Sequence, residues 1–263
     1  MPQTAILTPE QLDAFDRQGV LRLPGFYPEA DIRAMAERLW ADIERRFGML
    51  RDQPDSWTVS LPAQFHGLVR SGAFDALGSG KMTALADALL GAGKWDPPSH
   101  WGAPLVTFPT VSWGLPRPPW HTDTGACRYL NPMPVLRAFT FLAPVGSGGG
   151  GTLYVGGSHR LALEMDPAPD GAIPRSAEIR KRLGAEHPWF ARLLAAPGAA
   201  YREWMGVGAQ CGVHTVRLEE MTGDPGDLIV MHPAILHALA QNALDRPRMM
   251  LTISVYRRGA YDE

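Results

Sequence analysis

The stretch VLRAFTFLAPVGSGGGGTLYV, Val135 to Val155, decides the fold class. Its ends, Val135 to Leu142 and Thr152 to Val155, are short runs rich in β-branched and aromatic residues. Such runs form strands. Between them, Gly146-Ser147-Gly148-Gly149-Gly150-Gly151 formally satisfies G-x-G-x-x-G. It leads into a strand-like run rather than a helix, and no Lys-Ser/Thr follows. Neither a dinucleotide fingerprint nor a phosphate loop is therefore present, and the segment reads as a flexible hairpin loop.

Working outward, the same grammar recurs. Leu105 to Phe108, Val213 to Leu218, Leu228 to Met231 and Met249 to Tyr256 are further short apolar or alternating runs, separated by Gly, Pro, Asn and Asp. Upstream of about residue 100 the pattern is helical. Thr8-Pro9-Glu10-Gln11 combines an N-cap, a proline at the first helical position and a Gln that closes a capping box; Gly19 ends that helix and Val20 to Leu23 read as extended. A second helix starts near Pro28, with Ile32, Met35, Leu39, Ile43 and Phe47 on one face, and a third covers Lys81 to Leu90. Helices first, strands afterwards and no βαβ alternation favour a sandwich or barrel over a doubly wound sheet. Leu161 to Gly212 interrupts the strands with helical pieces at Ser176 to Leu183 and Trp189 to Leu194, either a lid or decoration. We expect one domain over residues 1–263: a helical region to about residue 100, then a β core with an insert over 161–212.

Composition narrows the function classes. An apolar fraction of 45% and a charged fraction of 20% are those of a globular chain. The formal net charge of −2 gives no electrostatic case for nucleic acid. Twenty-eight glycines and 24 prolines suit many short strands, and two cysteines, Cys127 and Cys211, rule out a disulfide framework. No apolar run is long enough to cross a bilayer, no secretory signal opens the chain and no peroxisomal address closes it. The expectation is a cytoplasmic protein acting on a small molecule.

Trp120-His121-Thr122-Asp123 carries the first chemistry. Residues two apart in an extended segment share a face at about 6.6 Å, so His121 and Asp123 can converge on one metal with bonds of about 2 Å. His237 follows Gly226-Asp227-Leu228-Ile229-Val230-Met231-His232, a turn leading into a strand, and is the third candidate ligand; His232, before Pro233, competes with it and suits a turn role better. Two imidazoles and a carboxylate on one face of an octahedron are diagnostic of non-haem Fe(II) oxygenases. Arg248, eleven positions on, would be a cross-strand neighbour of His237 if the chain made a hairpin centred near Asn242 and Ala243. An Arg inside a barrel needs an anionic partner, such as a dicarboxylate.

Other motifs compete with these. Cys211-x-x-His214 with Cys127 and His121 is the alternative metal site, for zinc. Ser158-His159 lacks a hydrolase context and reads as structural, near a cosubstrate at most. Of Trp95, Trp101, Trp113 and Trp120, only Trp120 is expected near the site, and Arg117 could meet an anionic substrate group.

The order Trp-His-Thr-Asp, then GGGTLYVGGSHR (Gly149 to Arg160), then Gly-Asp-x4-His-Pro-x3-His, then Arg248 resembles the phytanoyl-CoA dioxygenase family. Gln11 to Phe26, QLDAFDRQGVLRLPGF, is similar to the family's opening. The resemblance implies a mainly β protein with peripheral α: a double-stranded β-helix (jelly-roll) barrel with N-terminal helices and a helical insert. It implies Fe(II) on His121, Asp123 and His237, the distal carboxylate of 2-oxoglutarate on Arg248, and O2 as oxidant. Hydroxylation of a small organic molecule would release succinate and CO2. Asp123 argues against halogenation, because related halogenases carry a small residue there. Where the family often has a small polar residue two after the distal His, this chain has Leu239, which leaves the second carboxylate contact unassigned. The reading from a different class is a catalytically silent, or 2-oxoglutarate-independent, metal-binding jelly roll.

Overall fold

The computed structural model describes residues 5–110, 120–125, 127–167, 172–196 and 201–261. Local signals act as expected at the start. In α1 (Pro9–Gln18) the Thr8 hydroxyl accepts from the Gln11 amide, the Gln11 side chain accepts from the Thr8 amide, and Gly19 ends the helix at φ 70°. Then β1 (Val20–Leu23) follows. Pro28 caps α2 (Glu29–Phe47), which buries Ile32, Met35, Leu39 and Ile43. After α3 (His66–Arg70), the Ser79 hydroxyl caps α4 (Gly80–Leu90), and α5 (Ser158–Leu163) follows only beyond the glycine run.

The remaining strands are β2 (Ala103–Thr107), β3 (Val135–Phe141), β4 (Leu153–Gly156), β5 (Gly208–Cys211), β6 (His214–Glu220), β7 (Leu228–Met231), β8 (His237–Ala238) and β9 (Arg248–Tyr256). They form two antiparallel sheets, β1-β7-β3-β9-β2 and β5-β6-β4-β8. The sheets make an open jelly-roll sandwich rather than a closed barrel. Nor is the N-terminal region separate from the β core: β1 is an edge strand of the larger sheet, with Val20 opposite Met231. The insert too ends inside the core, because β5 pairs with β6.

Alternation along the strands sorts the layers. Leu136, Ala138, Leu228, Val230, Met249 and Leu251 pack outward with the buried faces of α2 and α4. Their neighbours Phe139, Phe141, Ile229, Met231 and Met250 face inward. On the smaller sheet, Leu153, Val155, Val216 and Leu218 pack outward against Ile179 and Leu183 of α6 (Ser176–Glu186) and Phe190 and Leu193 of α7 (Pro188–Ala195). The insert is thus the cover of one sheet, as the N-terminal helices are of the other. The order is helices, sheet, sheet, helices. The small inner apolar cluster leaves part of the space between the sheets to polar groups, and the site lies there. Among the described residues no helix is long and apolar enough to cross a membrane.

Candidate metal centre

His121 and His237 are joined by the backbone before their side chains matter. Each amide donates to the other's carbonyl at 2.9 Å, an antiparallel bridge across 116 positions of sequence. The Asp123 amide donates to the Pro233 carbonyl at 2.8 Å and continues the pairing. The two imidazoles stand 4.2 Å apart, centroid to centroid. Asp123, two residues on, turns to the same side. One nitrogen of each histidine and one carboxylate oxygen of Asp123 lie within 4.8 Å of one another.

Hydrogen bonds fix which atoms face the common point. His237 Nδ1 donates to the Ile235 carbonyl at 3.0 Å, which leaves Nε2, 3.8 Å from Asp123 Oδ2, as the ring atom able to take a metal. Burial pushes the His237 pKa down to about 4, with His121 adding to the effect and Asp123 opposing it. A neutral imidazole with a free Nε2 lone pair is what a metal requires. Arg137, inward on β3, donates from Nε to Asp123 Oδ2 at 2.8 Å and also reaches the Ser254 hydroxyl on β9. The Asp123 carboxylate is therefore oriented by a second residue, as carboxylates in metal sites usually are.

The insert secures the His121–Asp123 segment. The Ser176 hydroxyl, at the start of α6, accepts from the Thr122 amide at 2.8 Å, and Arg180 donates to the Trp120 carbonyl at 2.9 Å. On the opposite side the Ser158 hydroxyl accepts from the Leu236 amide at 2.9 Å, immediately before His237. Ser158 is thus structural.

Arg248 lies inside the sandwich, but not as a hairpin partner of His237. His237 belongs to the smaller sheet, opposite Tyr154, and Arg248 begins β9 in the larger one, opposite Thr107. Asn242 turns the chain across: its side chain donates to the Thr107 and Arg246 carbonyls and accepts from the Leu244 amide. A segment whose polar groups are satisfied in this way crosses between sheets instead of folding back on one. Arg248 is 2% exposed. It donates from Nη1 to the Gly150 carbonyl at 2.7 Å, while its Nε has no partner among the described residues. Burial lowers its pKa to about 10, opposed by Glu220.

Glu220 explains the glycine run. Its carboxylate accepts from the Gly148 and Gly151 amides at 2.8 and 3.1 Å. A Cβ on Gly151 would stand 2.0 Å from the Met221 carbonyl. The run is a pinned turn that aims the Gly150 carbonyl at Arg248, not a flexible loop.

The other candidates fall elsewhere. His232 stacks 5.1 Å from His159, whose Nε2 meets the Asp16 carbonyl. His214 pairs with Glu164, and the Cys127 thiol meets the Tyr261 hydroxyl. Among the described residues no zinc cluster forms from Cys127, Cys211 and His214. Trp95 and Trp101 belong to the outer core of the larger sheet, Trp120 is buried beside His121, and Trp113 and Arg117 lie outside the described residues.

Arg137, Ser176 and Arg180 were missed from sequence. Arg137 had a signal: it shares strand parity with inward Phe139 and Phe141. The two insert residues had none, since they act through contacts 54 and 60 positions away.

Two histidines and a carboxylate with the spacing and tautomer described fit a divalent iron that keeps open positions for other ligands. Several solved structures share the fold. EctD from S. alaskensis, solved with 2-oxoglutarate and 5-hydroxyectoine, superimposes with a TM-score of 0.61 at 16% identity, covering 100% of this chain and 80% of that one. HygX from Streptomyces hygroscopicus, solved with nickel and 2-oxoglutarate, gives 0.55 at 16% identity over 96% and 88%. AviO1 from Streptomyces viridochromogenes gives 0.58 at 18% identity over 99% of each chain. No curated protein sequence matches the chain. The sequence model of the phytanoyl-CoA dioxygenase family matches residues 15–250, and the chain therefore belongs to that family of iron- and 2-oxoglutarate-dependent oxygenases.

Proposed function

We propose that His121, Asp123 and His237 bind Fe(II), that Arg248 receives the distal carboxylate of 2-oxoglutarate, and that the enzyme hydroxylates or otherwise oxidises a small organic molecule. The convergence of three ligand atoms within 4.8 Å carries this reading. Arg248 supports it, because a fully buried guanidinium with an unpartnered Nε suits an anion. When bound, iron and 2-oxoglutarate supply the oxidising chemistry: O2 is consumed, 2-oxoglutarate leaves as succinate and CO2, and the substrate receives an oxygen atom. The chain's own residues position and protect. Arg137 holds Asp123 in its ligating orientation. Ser176 and Arg180 keep α6 against the His121–Asp123 segment and so fix the position of that segment.

The test needs no substrate. Fe(II) and then 2-oxoglutarate are added to the protein without oxygen, and the visible spectrum is recorded. A metal-to-ligand charge-transfer band is expected in the wild type and lost in Asp123→Ala and Arg248→Ala. Iron binding without a band would overturn the 2-oxoglutarate assignment and leave a metal-binding jelly roll.

A further inference from the structure

A buried hydroxyl shares a strand face with Arg248. Thr107 ends β2 and is the in-register partner of Arg248 on β9. Val106 packs outward with the helices, whereas Leu105 packs against the inner cluster. Alternation therefore turns Thr107 inward, beside Arg248, with Cβ atoms of such cross-strand partners about 5 Å apart. Both residues are 2% exposed. Each keeps one polar atom, Thr107 Oγ1 and Arg248 Nε, without a hydrogen-bond partner among the described residues.

Two stranded donors side by side are costly in the folded chain alone, and an acceptor shared by both removes the cost. The neighbouring acceptors are committed elsewhere: the Gly150 carbonyl to Arg248 Nη1 and the Thr107 carbonyl to Asn242. Leu239 and Arg248 border one cavity of about 330 Å³. Leu239 follows His237 by two positions and offers no hydroxyl there.

We propose that the Thr107 hydroxyl donates the second hydrogen bond to the distal carboxylate of 2-oxoglutarate, alongside Arg248. The inference rests on the cosubstrate reading above and assigns a contact that reading leaves open. It makes the carboxylate a ligand of adjacent strands in one sheet, β2 and β9, so that an apolar residue at position 239 is tolerated.

The experiment is an anaerobic titration of the Fe(II)-loaded protein with 2-oxoglutarate, followed by the charge-transfer band, for wild type, Thr107→Val, Thr107→Ala and Thr107→Ser. Valine keeps the shape and strand preference and removes only the hydroxyl, so Kd is expected to rise about tenfold, the effect of one hydrogen bond to a charged group. Serine retains the donor and should stay within about threefold of wild type on the same scale. A parallel titration uses 2-oxobutyrate, which has the same keto-acid end and no distal carboxylate; its affinity should not respond to Thr107→Val. Alanine supplies the same comparison should the valine protein fail to fold. A normal wild-type band with valine and alanine titrating like wild type would overturn this proposal alone. So would equal weakening of both keto acids. A wild type without a band would remove the cosubstrate reading, and this proposal with it.

Discussion

Replacing Arg248 by methionine separates the cost of a buried charge from its use. Burial lowers the Arg248 pKa from the ordinary guanidinium value to about 10, so carrying the charge in the folded chain costs about 3 kcal/mol. The residue is fully buried, and solvent screening does not reduce this figure. Against it stands one charge-assisted hydrogen bond to the Gly150 carbonyl, a contribution of about 2 kcal/mol. Glu220 is not stranded by the change, because it keeps the Gly148 and Gly151 amides. The net effect on the ligand-free protein is a gain of about 1 kcal/mol, in line with apolar replacement of buried charges. For a chain of this length that raises Tm by about 2 °C. The response to cosubstrate should have the opposite sense. With Fe(II) present and 2-oxoglutarate at about 100 times its Kd, the wild type gains about 2.7 kcal/mol, a shift of about 5 °C or more. Arg248→Met should show no such shift. Thermal melts with and without 2-oxoglutarate, under nitrogen, read both effects. A variant that melts lower than wild type without ligand and still shifts with 2-oxoglutarate would refute the reasoning, since Arg248 would then be a structural cation.

Two further outcomes follow from the same geometry. Arg137→Leu removes the donor that orients Asp123 and should raise the Fe(II) dissociation constant about 10- to 100-fold; an anaerobic iron titration checks this, and tighter binding would mean that Arg137 competes with the metal for the carboxylate. Acid stability should depend on the buried pair His159 and His232, whose pKa values burial lowers to about 4 and about 3. Above pH 6.5 both folded and unfolded chains hold these rings neutral. As the pH falls through 6.5 the unfolded chain gains protons that the folded one does not, so stability falls until the folded rings also titrate. For His159 alone the loss at pH 4.5 is about 3 kcal/mol; denaturant unfolding at pH 7 and 4.5 should show a smaller loss in His159→Gln, and equal losses would refute the assignment.

Local signals along the chain set the elements and the candidate ligand types. Capping at Thr8, alternation in β3, β7 and β9, and the His-x-Asp spacing are local, and local sterics and hydrogen bonding enforce them whatever the rest of the chain does. The family pattern, spread over most of the chain, supplied the fold class, and the structure corrects it only in leaving the two sheets open as a sandwich. Which strands meet depends on packing between distant segments. A hairpin between β8 and β9 was a reasonable expectation from their spacing, yet Asn242 satisfies the crossing segment's backbone and sends Arg248 to the other sheet. Arg137 on Asp123, Ser176 and Arg180 on the ligand segment, and Thr107 beside Arg248 are likewise pairings between residues distant in sequence. Their energies come from burial and unshared hydrogen-bonding capacity, which exist only once the sheets have packed and which no spacing along the chain records.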